Sequence, residues 1–328
     1  MIKTRKIGNV GLAVSELGLG GASLAGIHRP VDQADARSIV DAALSAGVNY
    51  VDTAPYYGHG LSERIVGDQL RGRNYLLSTK VGRLLRPGRP ADPGAWVQAL
   101  PFTVAHDYSY DGIMKSFEAS LQRLGLDRID IIYMHDIGDL THGSDEGPRL
   151  FKIAMTEGYK AMDTLRQEGR VKAIGLGVNE TRVIVDAMDY GHWDAHLLAG
   201  RYTLLEQPPL DDLFPLCAKA GTSIVIGGPY NSGVLAGGDT FDYGDVPAHI
   251  AGRVMAIKRV CEAHAVELPA AALAFCRAHP LVVSTIPGVR SAHQFEKTLT
   301  WWQAEIPAPF WSDLKAQGLL RADAPTPV

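Results

Sequence analysis

The chain has 328 residues, 46% of them apolar and 21% charged, a profile that excludes a disordered or fibrous protein. Its 32 basic and 36 acidic residues give a net charge of −4 with no long single-sign block. This balance argues against a nucleic-acid or anionic-membrane partner and points to small molecules.

The three cysteines, Cys217, Cys261 and Cys276, are odd in number and lack CxxC spacing, so neither a disulfide nor a zinc framework is expected. A reducing, cytoplasmic setting fits them. The start MIKTRKIGNVG carries charges without an apolar core of about 7–15 residues behind them, and no apolar run reaches about 18 residues. Neither a signal peptide nor a membrane span is expected.

In chain order, TRKIGNVGLAVSELGLG reads as a short hairpin, with Gly8, Asn9 and Gly11 supplying the turn. Eight short apolar runs follow: ELGLGG, NYVDTA, YLLSTK, IDIIYMH, VKAIGLGV, HLLAG, TSIVIGG and LVVSTIPG. Between them, amphipathic stretches predict helices over 33–46, 60–71, 110–124, 149–168, 180–190, 209–220, 248–265 and 291–300. Three of these end in Gly C-cap signals, Ala46-Gly47, Leu124-Gly125 and Glu168-Gly169. Repeated strand-helix units predict an α/β fold with a parallel sheet. A closed (β/α)8 TIM barrel buries eight such strands on both faces, and an open doubly wound sheet is the alternative. A barrel of roughly 250 residues with decorations is one domain, so 1–328 is expected to be a single barrel domain with the hairpin plugging its bottom.

Three connections are long: Gly82 to Ser109, Asp136 to Pro148, and Gly228 to Pro247. All follow strands, so in a barrel they rise from the C-terminal face, where active sites form, and carry Trp96, Phe102, His106 and Tyr230 towards a ligand.

The chemistry concentrates at strand ends. Asp52 follows Tyr50-Val51, Lys80 follows Leu76-Leu77, and His135 follows Ile131-Ile132-Tyr133-Met134. Buried charges need partners, so Asp52 and Lys80 are expected to pair, either as a structural ion pair or as part of an active site. Tyr57, five residues past Asp52, can lean over the same mouth. A nearby ammonium lowers a phenol's pKa, and a carboxylate behind the lysine keeps the lysine charged, so the three groups form a proton-transfer device. His135 can hydrogen-bond a substrate oxygen. Gly58 and Gly60 read as turn residues and His59 as a surface loop histidine.

DTAPYYG at 52–58, STK at 78–80 and IDIIYMHD at 129–136 resemble the aldo-keto reductase superfamily, and the likeness runs on through IPGVRS. The resemblance implies a (β/α)8 barrel, a nicotinamide cofactor held without a Rossmann fold, and a catalytic tetrad of Asp52, Tyr57, Lys80 and His135. Family spacing selects Tyr57 as the proton donor and acceptor and leaves Tyr56 as a pocket wall. The cofactor is then expected across the barrel mouth, with Asn179 at its carboxamide and with Arg201, Gly228, Tyr230, Pro287, Gly288, Arg290 and Gln294 along it. Arg201 stands where relatives often have glutamine, and Gly227 where a stacking tyrosine is common, so Tyr230 is the candidate substitute. Gly288 and Gln294 replace the two cations that clamp a 2′-phosphate in NADPH-using relatives, which favours NAD, while Arg290 keeps NADP possible.

Within the superfamily, the third loop and HDYSYDGIMKSFEASLQRLGLDRIDIIYMHD resemble aldose 1-dehydrogenases of the L-fucose, D-threo-aldose and galactose type. Pyridoxal 4-dehydrogenase is the neighbouring alternative. Either would oxidise a cyclic hemiacetal to a lactone, with Tyr56, Trp96 and His106 as substrate walls. A cofactor-sensing regulatory barrel with little turnover is a third reading, and an NADPH-dependent aldehyde reductase a fourth.

Overall fold

The computed structural model describes residues 2–327. Eight strands form one parallel sheet: β1 (Leu19–Gly20), β2 (Tyr50–Asp52), β3 (Leu76–Val81), β4 (Ile131–His135), β5 (Ala173–Val178), β6 (Ala195–Ala199), β7 (Ser223–Gly227) and β8 (Val282–Ile286). Neighbours in space are neighbours in sequence. The sheet closes where Leu17 bridges Thr285 and where Gly18 N donates to Thr285 O at 3.0 Å. The eight apolar runs therefore become the staves of a (β/α)8 barrel, and the open-sheet alternative is ruled out.

The N-terminal hairpin pairs Thr4–Lys6 with Ala13–Ser15 in antiparallel register. Its Ile7 and Val14 are fully buried in one cluster with Tyr50, Ile131, Tyr133, Ala173, Ala195 and Val225, which point into the barrel. The hairpin thus plugs the bottom of the barrel interior, which is open only at the opposite face.

The helices form the outer layer: α1 (Gln33–Ser45), α2 (Leu61–Leu70), α3 (Tyr110–Leu124), α4 (Asp139–Ile153), α5 (Tyr159–Gln167), α6 (Thr181–Ala187), α7 (Leu213–Ala220), α8 (Ala248–Ala263), α9 (Leu268–Ala278), α10 (Ala292–Gln303) and α11 (Ala308–Ala316). Side-chain caps define several starts. Asp32 accepts from Ala34 N, Ser109 from Gly112 N and Ser291 from Gln294 N, each satisfying an otherwise unpaired first-turn amide.

The expected single helix over 149–168 is longer and interrupted. It begins at Asp139, breaks at Gly143 (φ 72°, ψ 163°), and passes through a π-turn at Ala154–Gly158 before α5. Pro148 lies five residues past that break, inside the restarted segment. Helices α9 and α11 lie outside every helix predicted above. Eight of the eleven residues of α9 are buried, so it has no polar face to give an amphipathic signal.

The Gly82–Ser109 connection holds a second hairpin, Arg83–Pro87 with Phe102–His106. The Gly228–Pro247 connection is ordered by a small Thr240–Phe241/Gly244–Asp245 hairpin. All three cysteines are buried and unpaired. Among the described residues no helix is long and apolar enough to cross a membrane.

Candidate active site

Three strand ends deliver charge to one point. Lys80, on β3, extends across the barrel interior, and its Nζ donates to Asp52 Oδ2 at 2.7 Å and to Thr53 O at 3.0 Å. Both side chains are at most 3% exposed. The second Asp52 oxygen accepts from Ser78 Oγ at 2.7 Å, and Ser78 continues to Tyr50 and Tyr133 through hydroxyl contacts of 2.9 and 3.1 Å. Glycine on β5 makes room for the lysine: a Cβ on Gly177 would sit 3.2 Å from Lys80 Cε.

Tyr57 leans over this pair, with Lys80 Nζ 4.6 Å from its ring centroid. Burial raises the Asp52 carboxyl, with Lys80 and Ser78 opposing. Burial works against the Lys80 charge, but Asp52 and the Tyr57 phenol outweigh it and keep the ammonium above its usual range. For Tyr57, burial is the largest influence, and it pushes the phenol up to about 12 although Lys80 pulls the other way. The sequence expectation of a phenol made more acidic by Lys80 is therefore only partly met. Lys80 has that effect, but the dry mouth of the barrel exceeds it.

His135 is 4% exposed and lies beside both tyrosines, its ring centroid 6.0 Å from Tyr57 and 6.3 Å from Tyr56. Burial, followed by the charges of Arg83 and Lys80, holds it well below the usual imidazole range, so it is neutral. Its Nδ1 is buried without a partner, and its Nε2 lies 3.3 Å from Asp136 Oδ2.

These groups open onto a cavity of about 330 Å³ walled by Tyr56, Tyr57, Trp96, Val178, Leu197 and Tyr243, with Arg83, Asp136, Thr141 and Asn179 as its polar lining. Trp96 meets Tyr56 edge-on at 5.6 Å and Tyr57 at 5.5 Å. Tyr56 and Trp96 thus line this cavity. His106 is not in this lining. It pairs with Arg83 in the second hairpin and packs against His142 at 4.6 Å, behind the pocket. Phe102 belongs to the same hairpin, and its carbonyl lies 2.6 Å from His59 Nδ1. His59 is only 3% exposed and is therefore not a surface histidine.

A second cavity of about 210 Å³ continues from the first, sharing Ala22, Ile27, Tyr57, Leu197, Ala199 and Tyr243 with it. Gly228, Tyr230, Gly288, Arg290 and Gln294 line it. Pro287 does not; its carbonyl accepts from Gly20 N at 3.1 Å across the barrel seam. Arg201 lines neither cavity, because its guanidinium is spent on Asp242, at 3.0 and 2.9 Å, and so pins the Gly228–Pro247 connection. Asn179 donates to Ala199 O at 3.3 Å and to Tyr243 OH at 3.4 Å where the cavities join.

The joined cleft fits a dinucleotide. Its walls include unsubstituted backbone at Gly20, Gly21, Gly227 and Gly228, and two groups of lining residues, Tyr230 OH and Arg290 Nε, are buried without a partner. Such orphaned atoms are costly unless a ligand completes them. At the far end a Cβ on Gly288 would lie 2.3 Å from Ser23 Oγ, so a longer side chain there would have to turn the serine hydroxyl aside. Ser23, Arg83, Asp136 and Tyr243 are absent from the sequence-based site. Asp136 carried the one usable signal, an acid following His135 at a strand end. Among the described residues no His/Cys/Asp/Glu cluster could hold a metal.

Comparisons with known proteins agree with this geometry. The profile of the Aldo/keto reductase family matches residues 16–317. The chain is similar to a pyridoxal 4-dehydrogenase of Microbacterium luteolum, at 42% identity over 96% of this chain and 97% of that one. It is also similar to a D-threo-aldose 1-dehydrogenase of a Pseudomonas species, at 36% identity over 97% of each. Among solved structures, the holo form of the aldo-keto reductase AKR11C1 from Bacillus halodurans superposes with a TM-score of 0.74 at 27% identity, covering 99% of this chain and 98% of that one. A barrel whose mouth joins a buried Asp-Lys pair, a tyrosine and a neutral histidine to a dinucleotide-sized cleft, in a chain with these relatives, belongs to the aldo/keto reductase family of NAD(P)-dependent oxidoreductases.

Proposed function

We propose that the protein oxidises a cyclic hemiacetal to its lactone in the cytoplasm, using NAD, and that Asp52, Tyr57, Lys80 and His135 carry the reaction. The observation that carries this reading is the Tyr57 phenol standing over a lysine whose charge is held by a buried carboxylate, inside an aromatic-walled cavity. When bound, the nicotinamide supplies the acceptor for the hydride that leaves the anomeric carbon.

The chain's own residues handle the rest. Tyr57 oxygen takes the anomeric hydroxyl proton as the C=O bond forms. Lys80 stays an ammonium and stabilises the phenolate, and Asp52 with Thr53 O keeps Lys80 in place. Neutral His135 offers one N–H to orient the reacting oxygen without adding a charge. Trp96 and Tyr56 exclude water from the face where the ring lies. Asn179, Gly228, Tyr230, Arg290 and Gln294 would hold the cofactor.

Pyridoxal is the substrate we place first. The walls Tyr56, Tyr57 and Trp96 suit stacking of a flat heteroaromatic ring, and the relative at 42% identity bears that activity in its name. An aldose is the second reading, favoured by the polar lining of Arg83, Asp136, Thr141 and Asn179 and by the D-threo-aldose relative. NAD is favoured over NADP because Gly288 and Gln294 contribute no cation and Arg290 turns its Nη2 to Ile27 O at 3.3 Å. The deciding experiment follows reduced-nicotinamide absorbance for purified protein with NAD or NADP against pyridoxal, L-fucose, D-arabinose and both galactose enantiomers. Pyridoxal turnover with NAD supports the first reading, sugar turnover the second, and turnover only with NADP contradicts the cofactor assignment.

A further inference from the structure

Beside the tetrad lies a second charged pair that the proton-transfer chemistry does not use. Arg83, directly after β3, is 5% exposed, lies with its guanidinium 4.3 Å from the Tyr56 ring centroid, and donates through Nη2 to Asp136 Oδ2 at 2.6 Å. Its Nε is buried with no partner. A purely structural arginine at this depth would have its donors satisfied, because an orphaned buried N–H costs free energy.

Asp136 is held in position by its own backbone. It adopts φ 42°, a conformation rare outside glycine, while its N–H donates to Gly177 O at 3.1 Å and the Tyr108 hydroxyl lies 3.1 Å from its carbonyl. That turn points the carboxylate into the cavity, where Oδ2 stands 3.3 Å from His135 Nε2. Among the described residues nothing donates to Oδ1. The pocket therefore offers an unused acceptor, Asp136 Oδ1, one hydrogen-bond step from the group proposed to orient the reacting oxygen, with the buried Arg83 guanidinium behind it.

We infer that Arg83 and Asp136 determine specificity by reading the substrate hydroxyl nearest the reacting carbon, with Asp136 Oδ1 accepting its O–H and Arg83 holding that carboxylate in place. In pyridoxal this is the ring phenol, and in an aldose it is the 2-hydroxyl. The inference rests on the hemiacetal reading above. A site built to pair with a hydroxyl rejects the analogue lacking it far more strongly than an apolar pocket does, since its own polar groups are left unpaired.

The test compares kcat/KM for pyridoxal with 3-deoxypyridoxal, and for L-fucose with 2-deoxy-L-fucose, in the unmodified enzyme, in Asp136→Asn, in Arg83→Gln and in the double variant. The unmodified enzyme is expected to favour the hydroxylated partner by about 100-fold or more, and each variant to reduce that ratio by about 10-fold or more. The double variant Arg83→Gln/Asp136→Asn removes both charges together and leaves neither unpaired, so it reports even where a single variant misfolds. A ratio near one in the unmodified enzyme, or a ratio unchanged in the folded double variant, overturns the inference and leaves the hemiacetal reading standing. Turnover of none of the four compounds with either cofactor overturns that reading and the inference with it.

Discussion

Asp52 and Lys80 meet at 2.7 Å with both side chains almost fully withdrawn from water. Deleting one partner of a buried pair leaves the other charge uncompensated, whereas removing both is far milder. Lys80→Met is expected to lower unfolding stability by about 3–5 kcal/mol and to abolish turnover. The double variant Asp52→Asn/Lys80→Met should recover most of the stability but none of the activity. Urea denaturation of both proteins checks this, and equal stabilities would show that the pair is not energetically coupled.

Tyr57→Phe keeps the ring against Trp96 and removes only the transferable proton. Loss of a positioned acid-base group costs typically about 10²–10⁴-fold, so kcat should fall in that range while cofactor affinity, read by fluorescence titration, stays within about twofold. Retention of more than a tenth of the rate would assign the proton transfer elsewhere.

The pH dependence follows from the raised phenol. Acting as base in oxidation, Tyr57 must be deprotonated, and with its pKa pushed up to about 12 by burial the reactive fraction grows with every step of pH below that value. The expected log kcat/KM for oxidation rises with a slope of about one from pH 7 to 10, without a plateau. A flat profile across that range, with the chemical step shown to limit the rate, would sink the assignment.

Cofactor choice is expected to depend on Ser23 as well as Gly288. The unmodified protein should prefer NAD by about 10-fold or more in kcat/KM, for want of charge-assisted contacts to a 2′-phosphate. Gly288→Lys alone should gain little, because its Cβ would meet Ser23 Oγ at 2.3 Å. Ser23→Gly/Gly288→Lys should move the preference towards NADP by about 10-fold. Steady-state rates with both cofactors separate the single from the double variant.

Arg201 holds the Gly228–Pro247 connection through its two-point contact with Asp242. Arg201→Ala should loosen that segment, raising proteolytic cleavage between residues 237 and 246 about 3–10-fold, as expected for a partly exposed pair worth about 1 kcal/mol. Limited proteolysis with mass identification of the cut reads this directly, and an unchanged cleavage pattern argues that the small hairpin holds itself.

Some of this protein was determined by its sequence alone. Each barrel strand is a short apolar run bounded by turn residues, a signal that survives whatever the strand packs against, so all eight were legible along with the hairpin beneath them. Asp52, Tyr57, Lys80 and His135 stood out because each is a polar residue at or just past the end of an apolar strand, and parallel strands bring their ends to one mouth.

Other features required the folded molecule. Helix α9 is buried on most of its surface, so its sequence lacks the alternation that betrays a surface helix. His106 and His59 were misplaced because loop histidines carry no local sign of which way a hairpin turns them. Arg83 and Asp136 lie 53 positions apart and meet only because the strands they follow are adjacent in the barrel. The Tyr57 phenol depended on two opposed influences, and only the tertiary structure decided between them: the attraction of Lys80 could be anticipated from residue types, but the larger effect of burial comes from the depth of a cavity that exists only once the chain has closed on itself.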